Sequence, residues 1–262
     1  MSVATGLLER LVAESTSEME SRRALVSDAE LEDRAERYAP KDFARALRRT
    51  NLAVIAEMKQ RTPSMGVLAD AYRPEHLARV YSAGGAAALS VLTQEASFGG
   101  TLAHLEAARA ASSLPILRKD FITDPRQVLE ARAAGADAVL LIVAALPVEG
   151  LARLMDAAAA RGLASLVEVH DEAEAVAAVD AGAYIIGVNH RDLRTFEVDL
   201  GLTERLRDLV PADRILVAES GIHGAADARR MRAAGVDAIL VGELLMRSPD
   251  PAACIEDLAA VR

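Results

Sequence analysis

The sequence predicts an α/β fold: a single (β/α)8 TIM barrel, eight strand–helix units closed on themselves, with an N-terminal helical extension. Three observations predict it. An Ala-Gly pair followed by an apolar, β-branched run recurs about every 50 residues, at Ala83-Gly84, Ala134-Gly135, Ala181-Gly182 and Ala234-Gly235. One further apolar run lies between each neighbouring pair and one ahead of the first, which makes eight runs spaced about 25 residues apart. Nearly every position in these runs is apolar, as in parallel strands covered by helices on both faces, whereas a half-exposed antiparallel sheet would alternate. Nothing resembling a linker divides the eight units, which favours a closed barrel over an open doubly wound sheet.

Residues 1–50 are expected to form the helical extension packed on the barrel, and residues 51–262 the barrel as one domain. Within 5–26, Leu7, Leu8, Leu11 and Val12 fall on one helical face, and 42–49 is a second short amphipathic piece. This pattern fades within about two turns, too soon for a coiled coil or a membrane-surface helix. The strand runs then follow at 52–58, "AALSVL", 114–117, "AVLLIV", 164–169, "YIIGVN", 214–218 and "AILVG". Helix starts are marked by Pro74, by Asp124-Pro125 and by Asp171, because an Asp cap accepts orphan amide protons and a proline in the first turn has none to offer. Each repeated glycine falls where a helix should stop in the left-handed conformation.

Composition narrows the function. The 262 residues are 52% apolar and 26% charged with a net charge of −9, which excludes disordered and collagen-like chains and a broad nucleic-acid-binding surface. No apolar run reaches spanning length and no signal peptide opens the chain, so a cytoplasmic protein with no membrane partner is expected. The single cysteine, Cys254, allows neither an internal disulfide nor a thiolate cluster. An anionic ligand therefore needs a local set of positive charges.

In such a barrel, reacting groups come from the C-terminal ends of the strands. The first strand ends in Glu57 and Lys59, on one face; the third in Lys119; the fifth carries Glu168; the sixth ends in Asn189 and Arg191; the seventh in Glu219 and Ser220; the eighth in Gly242. Any one of these charges is readily explained as the start of a solvated loop, but five strands ending this way suggest lysines and carboxylates converging to perturb one another. "SGI" (220–222) and "VGELLMR" (241–247) carry small residues where barrels of this type hold phosphate, and the amides around Gly221, Gly242 and Glu243 are the expected donors; plain turn glycines are the alternative. A metal site of His170, His190 and His223 with Glu168 is the weaker reading, since these histidines trail their strands and sit among charged residues, as solvated loop histidines do. No metal or cofactor is expected.

The segments "VIAEMKQRTPSMG" (54–66), "SVLTQEASFGG" (90–100), "PILRKDFITD" (115–124), "LVEVHDEAEA" (166–175), "GVNHRDLRTFEVDL" (187–200), "VAESGI" (217–222) and "GELLMR" (242–247) resemble the indole-3-glycerol phosphate synthase family of tryptophan biosynthesis. The resemblance runs in order from about Ala53 to Met246. It implies Lys119 as general acid, Glu168 as general base, and Glu57 and Lys59 as their partners. It also implies Asn189, Arg191, Glu219 and Ser220 as substrate-orienting groups, and Phe98, Phe121, Leu140, Ile142 and Leu193 as an apolar wall for the anthranilate ring. The implied substrate is 1-(2-carboxyphenylamino)-1-deoxyribulose 5-phosphate, a phosphorylated small molecule, handled by a monomer. The chain departs from the family pattern at Gln60, Thr62 and Met65, where two basic residues and a serine are usual, in a loop (60–73) expected to close over substrate. Two rival functions follow: a paralogous phosphate-binding barrel with reduced or altered activity, and a phosphoribosylanthranilate isomerase, which would need a cysteine or aspartate pair at strands one and five, where Glu57, Lys59 and Glu168 stand.

Overall fold

The computed structural model describes residues 5–63, 66–68, 71–192 and 194–262. Eight parallel strands close a barrel in sequence order: β1 (Ala53–Met58), β2 (Ala88–Leu92), β3 (Ile116–Lys119), β4 (Ala138–Ile142), β5 (Ala164–Val169), β6 (Ile185–Asn189), β7 (Ile215–Glu219) and β8 (Ala238–Val241), with β1 pairing both β2 and β8. The third strand begins two residues later than expected and ends on Lys119. Pro115 has no N–H for the ladder and contributes its carbonyl to Leu89 instead.

Strand alternation sorts the core into two shells. Val54, Ala56 and Met58 point outward with Val167, Val169, Leu216 and Ala218 into the layer between strands and helices. Ala53, Ile55, Leu117, Leu140, Leu166, Ile215, Val217 and Leu240 fill the barrel interior. Because successive side chains alternate, residues two further on from these inward positions also face the axis. On β1, β3, β5 and β7 those are Glu57, Lys119, Glu168 and Glu219.

The repeated Ala-Gly phrase behaves as expected at Gly135, Gly182 and Gly235, all at positive φ. In the first unit the left-handed residue is Gly85 and not Gly84, whose φ is −71°. Gly84 is needed for another reason: a Cβ there would lie 2.7 Å from the Ala252 carbonyl oxygen. Two of the phrases end in an aspartate that pins the neighbouring strand, Asp137 accepting from Ile116 N–H at 2.8 Å and Asp237 from Leu216 N–H at 2.9 Å. The expected caps form: Asp124 makes a capping box with Gln127, and Asp171 accepts from Glu174 N–H.

The N-terminal segment is three helices, α1 (Thr5–Arg23), α2 (Asp28–Ala35) and α3 (Phe43–Leu47). The middle one was not anticipated. Its start is a Ser27 cap that accepts from Glu30 N–H. Leu11 of α1 and Phe43 and Leu47 of α3 join the barrel's interior core. Polar groups fix α1 more firmly: Ser15 donates to Asp120 (2.7 Å), Gln127 donates to Ser15 (3.0 Å), Arg22 pairs with Glu130 (2.8 Å), and Glu18 accepts the N–H groups of Glu95 and Ala96.

Candidate active site

The last inward position of each strand lies at one end of the barrel, and a cavity of about 190 Å³ opens there. Glu57, Lys59, Lys119, Glu168, Asn189, Arg191, Glu219, Ser220, Gly221, Gly242 and Glu243 all line it, with Phe98, Phe121, Leu140 and Ile142 on its apolar side. Phe98 and Phe121 contact each other with ring centroids 6.0 Å apart. Leu193 and Met65 fall outside the described residues.

Two charge sets face this space. Lys119 Nζ donates to Glu168 Oε2 at 2.7 Å and to Glu219 Oε2 at 3.0 Å. Lys59 Nζ donates to Glu57 Oε2 at 2.6 Å. Asn189 ties the set together, its Nδ2 donating to Glu168 Oε1 at 3.1 Å while its Oδ1 accepts from Ser220 Oγ (2.8 Å) and from the Arg191 N–H (3.1 Å). Ser220 and Gly221 are both left-handed, at φ 65° and 76°, which turns the chain sharply out of β7 at the cavity wall.

Burial sets the electrostatics. It drives the Lys119 ammonium toward losing its proton, but Glu168, Glu219 and Glu57 outweigh it and raise the pKa. Glu168 lies well below the usual carboxylate range: burial opposes ionisation, yet Lys119 and His170 overcome it. Burial and the anionic Glu168 push Glu219 up to about 8, against the pull of Lys119. Three groups within hydrogen-bonding reach thus hold one ammonium, one carboxylate and one carboxyl that is mainly neutral at pH 7, the divergence of pKa values that acid–base sites exploit.

Glycines make room for these charges. A Cβ at Gly187 of β6 would overlap Glu219 Oε1, and one at Gly242 would overlap Glu57 Oε2 and lie 3.0 Å from Lys59 Nζ. Gly242 therefore accommodates the Glu57–Lys59 pair as well as heading the short helix Glu243–Arg247. Between β1 and the next helix, Arg61–Thr62 and Gly66–Val67 pair as a small hairpin, and Arg61 donates to the carbonyls of Glu95 and Ala96 (3.0 and 2.6 Å).

Two expectations about the histidines are corrected. His170 is not a solvated loop residue but lies against Glu168 and Glu174. His190 is buried, with Nε2 2.6 Å from Thr203 Oγ1 and Nδ1 3.0 Å from the Ser220 carbonyl. His170 sits in a two-residue connection whose following helix brings Glu174 against it, and His190 turns inward onto Thr203 of the helix after its long loop; His223 is exposed as expected. Among the described residues, no group of three or more His, Cys, Asp or Glu is arranged to hold a metal ion, and no helix is long and apolar enough to cross a membrane. Leu7 and Leu11 of α1 also line the cavity. Their apolar face was legible, but its destination was not.

A parallel eight-stranded barrel with lysine–carboxylate sets at the C-terminal ends of its strands defines a (β/α)8 barrel with an acid–base site. The chain belongs to the indole-3-glycerol phosphate synthase family, whose sequence profile matches residues 8–258. It is 58% identical over 255 residues to indole-3-glycerol phosphate synthase 2 of Streptomyces coelicolor, spanning 97% of this chain and 99% of that one. Indole-3-glycerol phosphate synthase 1 of the same organism is 48% identical over 97% of this chain and 95% of its own length. The Mycolicibacterium vanbaalenii synthase is 47% identical over 96% of this chain and 93% of its own. Among solved structures, 3-hexulose-6-phosphate synthase from Salmonella typhimurium (TM-score 0.64, 16% identity, 79% of this chain and 97% of that one) and thiamine phosphate pyrophosphorylase from Pyrococcus furiosus (TM-score 0.60, 21% identity, 79% and 93%) share the barrel fold.

Proposed function

We propose that this protein is a carboxy-lyase that converts 1-(2-carboxyphenylamino)-1-deoxyribulose 5-phosphate to indole-3-glycerol phosphate, carbon dioxide and water in tryptophan biosynthesis. The observation that carries the reading is the Lys119–Glu168–Glu219 cluster beside an apolar wall, in a chain 58% identical over nearly its whole length to a protein named for that reaction.

The aromatic carbon bearing the carboxylate attacks the ribulose C2 carbonyl. A carbon–carbon bond forms and the carbonyl π electrons move to oxygen, where Lys119 delivers a proton; an ammonium held in a closed pocket suits a developing oxyanion. Carbon dioxide then leaves, and its bonding pair restores the aromatic ring. In the last step the new hydroxyl departs as water on taking a proton, while a carboxylate removes the proton from the adjacent carbon and that C–H pair becomes the indole double bond. Lys119 is the acid of the ring closure, and Glu168 is the carboxylate that takes the proton in the last step, where Lys59, paired with Glu57, protonates the departing hydroxyl. Asn189, Arg191, Ser220 and Glu219 orient the substrate, and Phe98, Phe121, Leu140, Ile142 and Leu193 flank its ring. Amides around Gly221, Gly242 and Glu243 take the phosphate, as phosphates are taken after strands seven and eight of such barrels. The small phosphorylated substrate and the lone Cys254 fit a monomeric cytoplasmic enzyme.

The test is to incubate the purified protein with this substrate and follow indole fluorescence together with carbon dioxide release. Equimolar product and carbon dioxide are expected. Unchanged substrate would favour the paralogous barrel.

A further inference from the structure

We infer that His170, held by Glu174, is a positioning residue that acts from behind Glu168: as a cation paired with the carboxylate on the Oε1 side, it holds Glu168 in place and ionised for its work as a base. The inference rests on the reading of Glu168 as the reaction's base and adds a device to it.

The geometry argues this before any titration is considered. His170 Nδ1 is 3.2 Å from Glu174 Oε2, and the His170 backbone N–H donates to that same oxygen at 2.8 Å. The other ring nitrogen, Nε2, makes no hydrogen bond but lies at ion-pair distance, 3.3 Å, from Glu168 Oε1. Each nitrogen thus faces a carboxylate oxygen, which accepts protons and donates none, so both nitrogens favour carrying hydrogen and the ring is an imidazolium. Burial opposes this charge, but the two carboxylates prevail and His170 is pushed up to about 10.

The two oxygens of Glu168 are consequently not equivalent. Oε1 lies beside the His170 ring at 3.3 Å and accepts from the Asn189 amide at 3.1 Å, whereas Oε2 accepts from Lys119 at 2.7 Å. His170 does not line the cavity that holds Lys119 and Phe121. It borders a second one, of about 670 Å³, shared with Leu8 and Val12 of α1. It therefore reaches Glu168 without contacting substrate.

The other charges around the pair are accounted for. Glu168 is faced by Lys119 from β3 and Glu219 from β7, with Glu57 and Lys59 of β1 across the same cavity. His170 has Glu168 and Glu174 against it, and Glu9 of α1, Asp171 and Asp192 border its own cavity. Glu197 and Asp199 border that cavity as well, and its arginines are occupied, Arg194 by Asp192 at 3.1 Å and Arg205 by Asp199 at 2.9 Å. The surroundings thus favour a cation at position 170, and Glu219, near 8, titrates on the alkaline side, apart from Glu168.

The experiment compares kcat/KM against pH for the wild type, His170→Gln and His170→Lys. Removing the cation raises the Glu168 pKa by about one to three units, the usual effect of a charge at this distance. An acidic limb should therefore move toward neutrality in His170→Gln, with KM at pH 8 little changed, and His170→Lys should move it back. An unshifted limb in a folded His170→Gln variant overturns the inference. Nitrogen-15 NMR of the wild type decides the matter even if that variant does not fold or the wild type does not turn over this substrate. One of the five histidines should remain an imidazolium at about pH 8.5, well above the ordinary histidine value, and five neutral rings there would overturn the inference.

Discussion

Glu219 is a carboxyl whose neighbours decide its charge. Burial and the adjacent Glu168 anion lift it to about 8 in the folded protein, against an ordinary value of 4.5. The folded state therefore binds this proton more tightly than the unfolded chain. The stabilisation is fully present below about pH 4.5 and is lost as pH rises through about 8. Glu219→Gln, neutral at every pH, should gain in Tm relative to the wild type between pH 5 and pH 9 while losing activity. Thermal melts at three pH values check this, and a constant difference would contradict the assignment of a neutral carboxyl. The same residue shows what sequence reading reaches. That Glu219 ends a strand at the reacting face was legible from strand spacing alone. That it is the neutral member of its set was not, since this follows from Lys119 bonding to Glu168 and Glu219 at once, a contact among three strands.

At the scale of elements, β6 and α1 carry the less obvious work. Gly187 lies inside β6, where glycine weakens a strand, but a side chain there would overlap Glu219 Oε1. Gly187 is not among the residues at positive φ, so Gly187→Ala leaves the backbone unstrained and displaces the carboxyl instead. We expect kcat to fall at least about tenfold, since a catalytic group moved by about 1 Å costs this much or more, with secondary structure unchanged by circular dichroism. Wild-type kcat would show that Glu219 has no positional role. In α1, Ser15 is buried, donating to Asp120 and accepting from Gln127. Asp120 sits between Lys119 and Phe121, so this bond ties the helix to the end of β3. Ser15→Ala leaves both partners short of a bond and should cost about 1–3 kcal/mol of stability, measured by chemical denaturation. The amphipathic face of residues 5–26 was readable from its periodicity. Its docking over the barrel mouth was not, because Ser15, Glu18 and Arg22 find partners 76 to 112 residues away in sequence.

Across the whole molecule, a net charge of −9 repels an anionic substrate at long range, and capture depends on the local cations of the mouth. The eight-fold repeat made the barrel legible because closure needs little beyond strand period and connection length. The small hairpin after β1 escaped notice because its strands are two residues each. That loop carries Gln60 and Met65 where relatives by family pattern are basic. Gln60→Arg with Met65→Lys should raise kcat/KM mainly at low ionic strength, where charges of the loop act beyond the roughly 10 Å screening length of 0.1 M salt. A gain that persists unchanged in high salt would point to direct contact in place of steering.

In the proposed mechanism Lys119 protonates the carbonyl oxygen as the ring closes. The most direct measurement is kcat of Lys119→Met, by indole-3-glycerol phosphate fluorescence at saturating substrate, on protein shown to be folded. A fall of about 10² or more is expected, the usual worth of a general acid; turnover at the wild-type rate would rule out that role for Lys119.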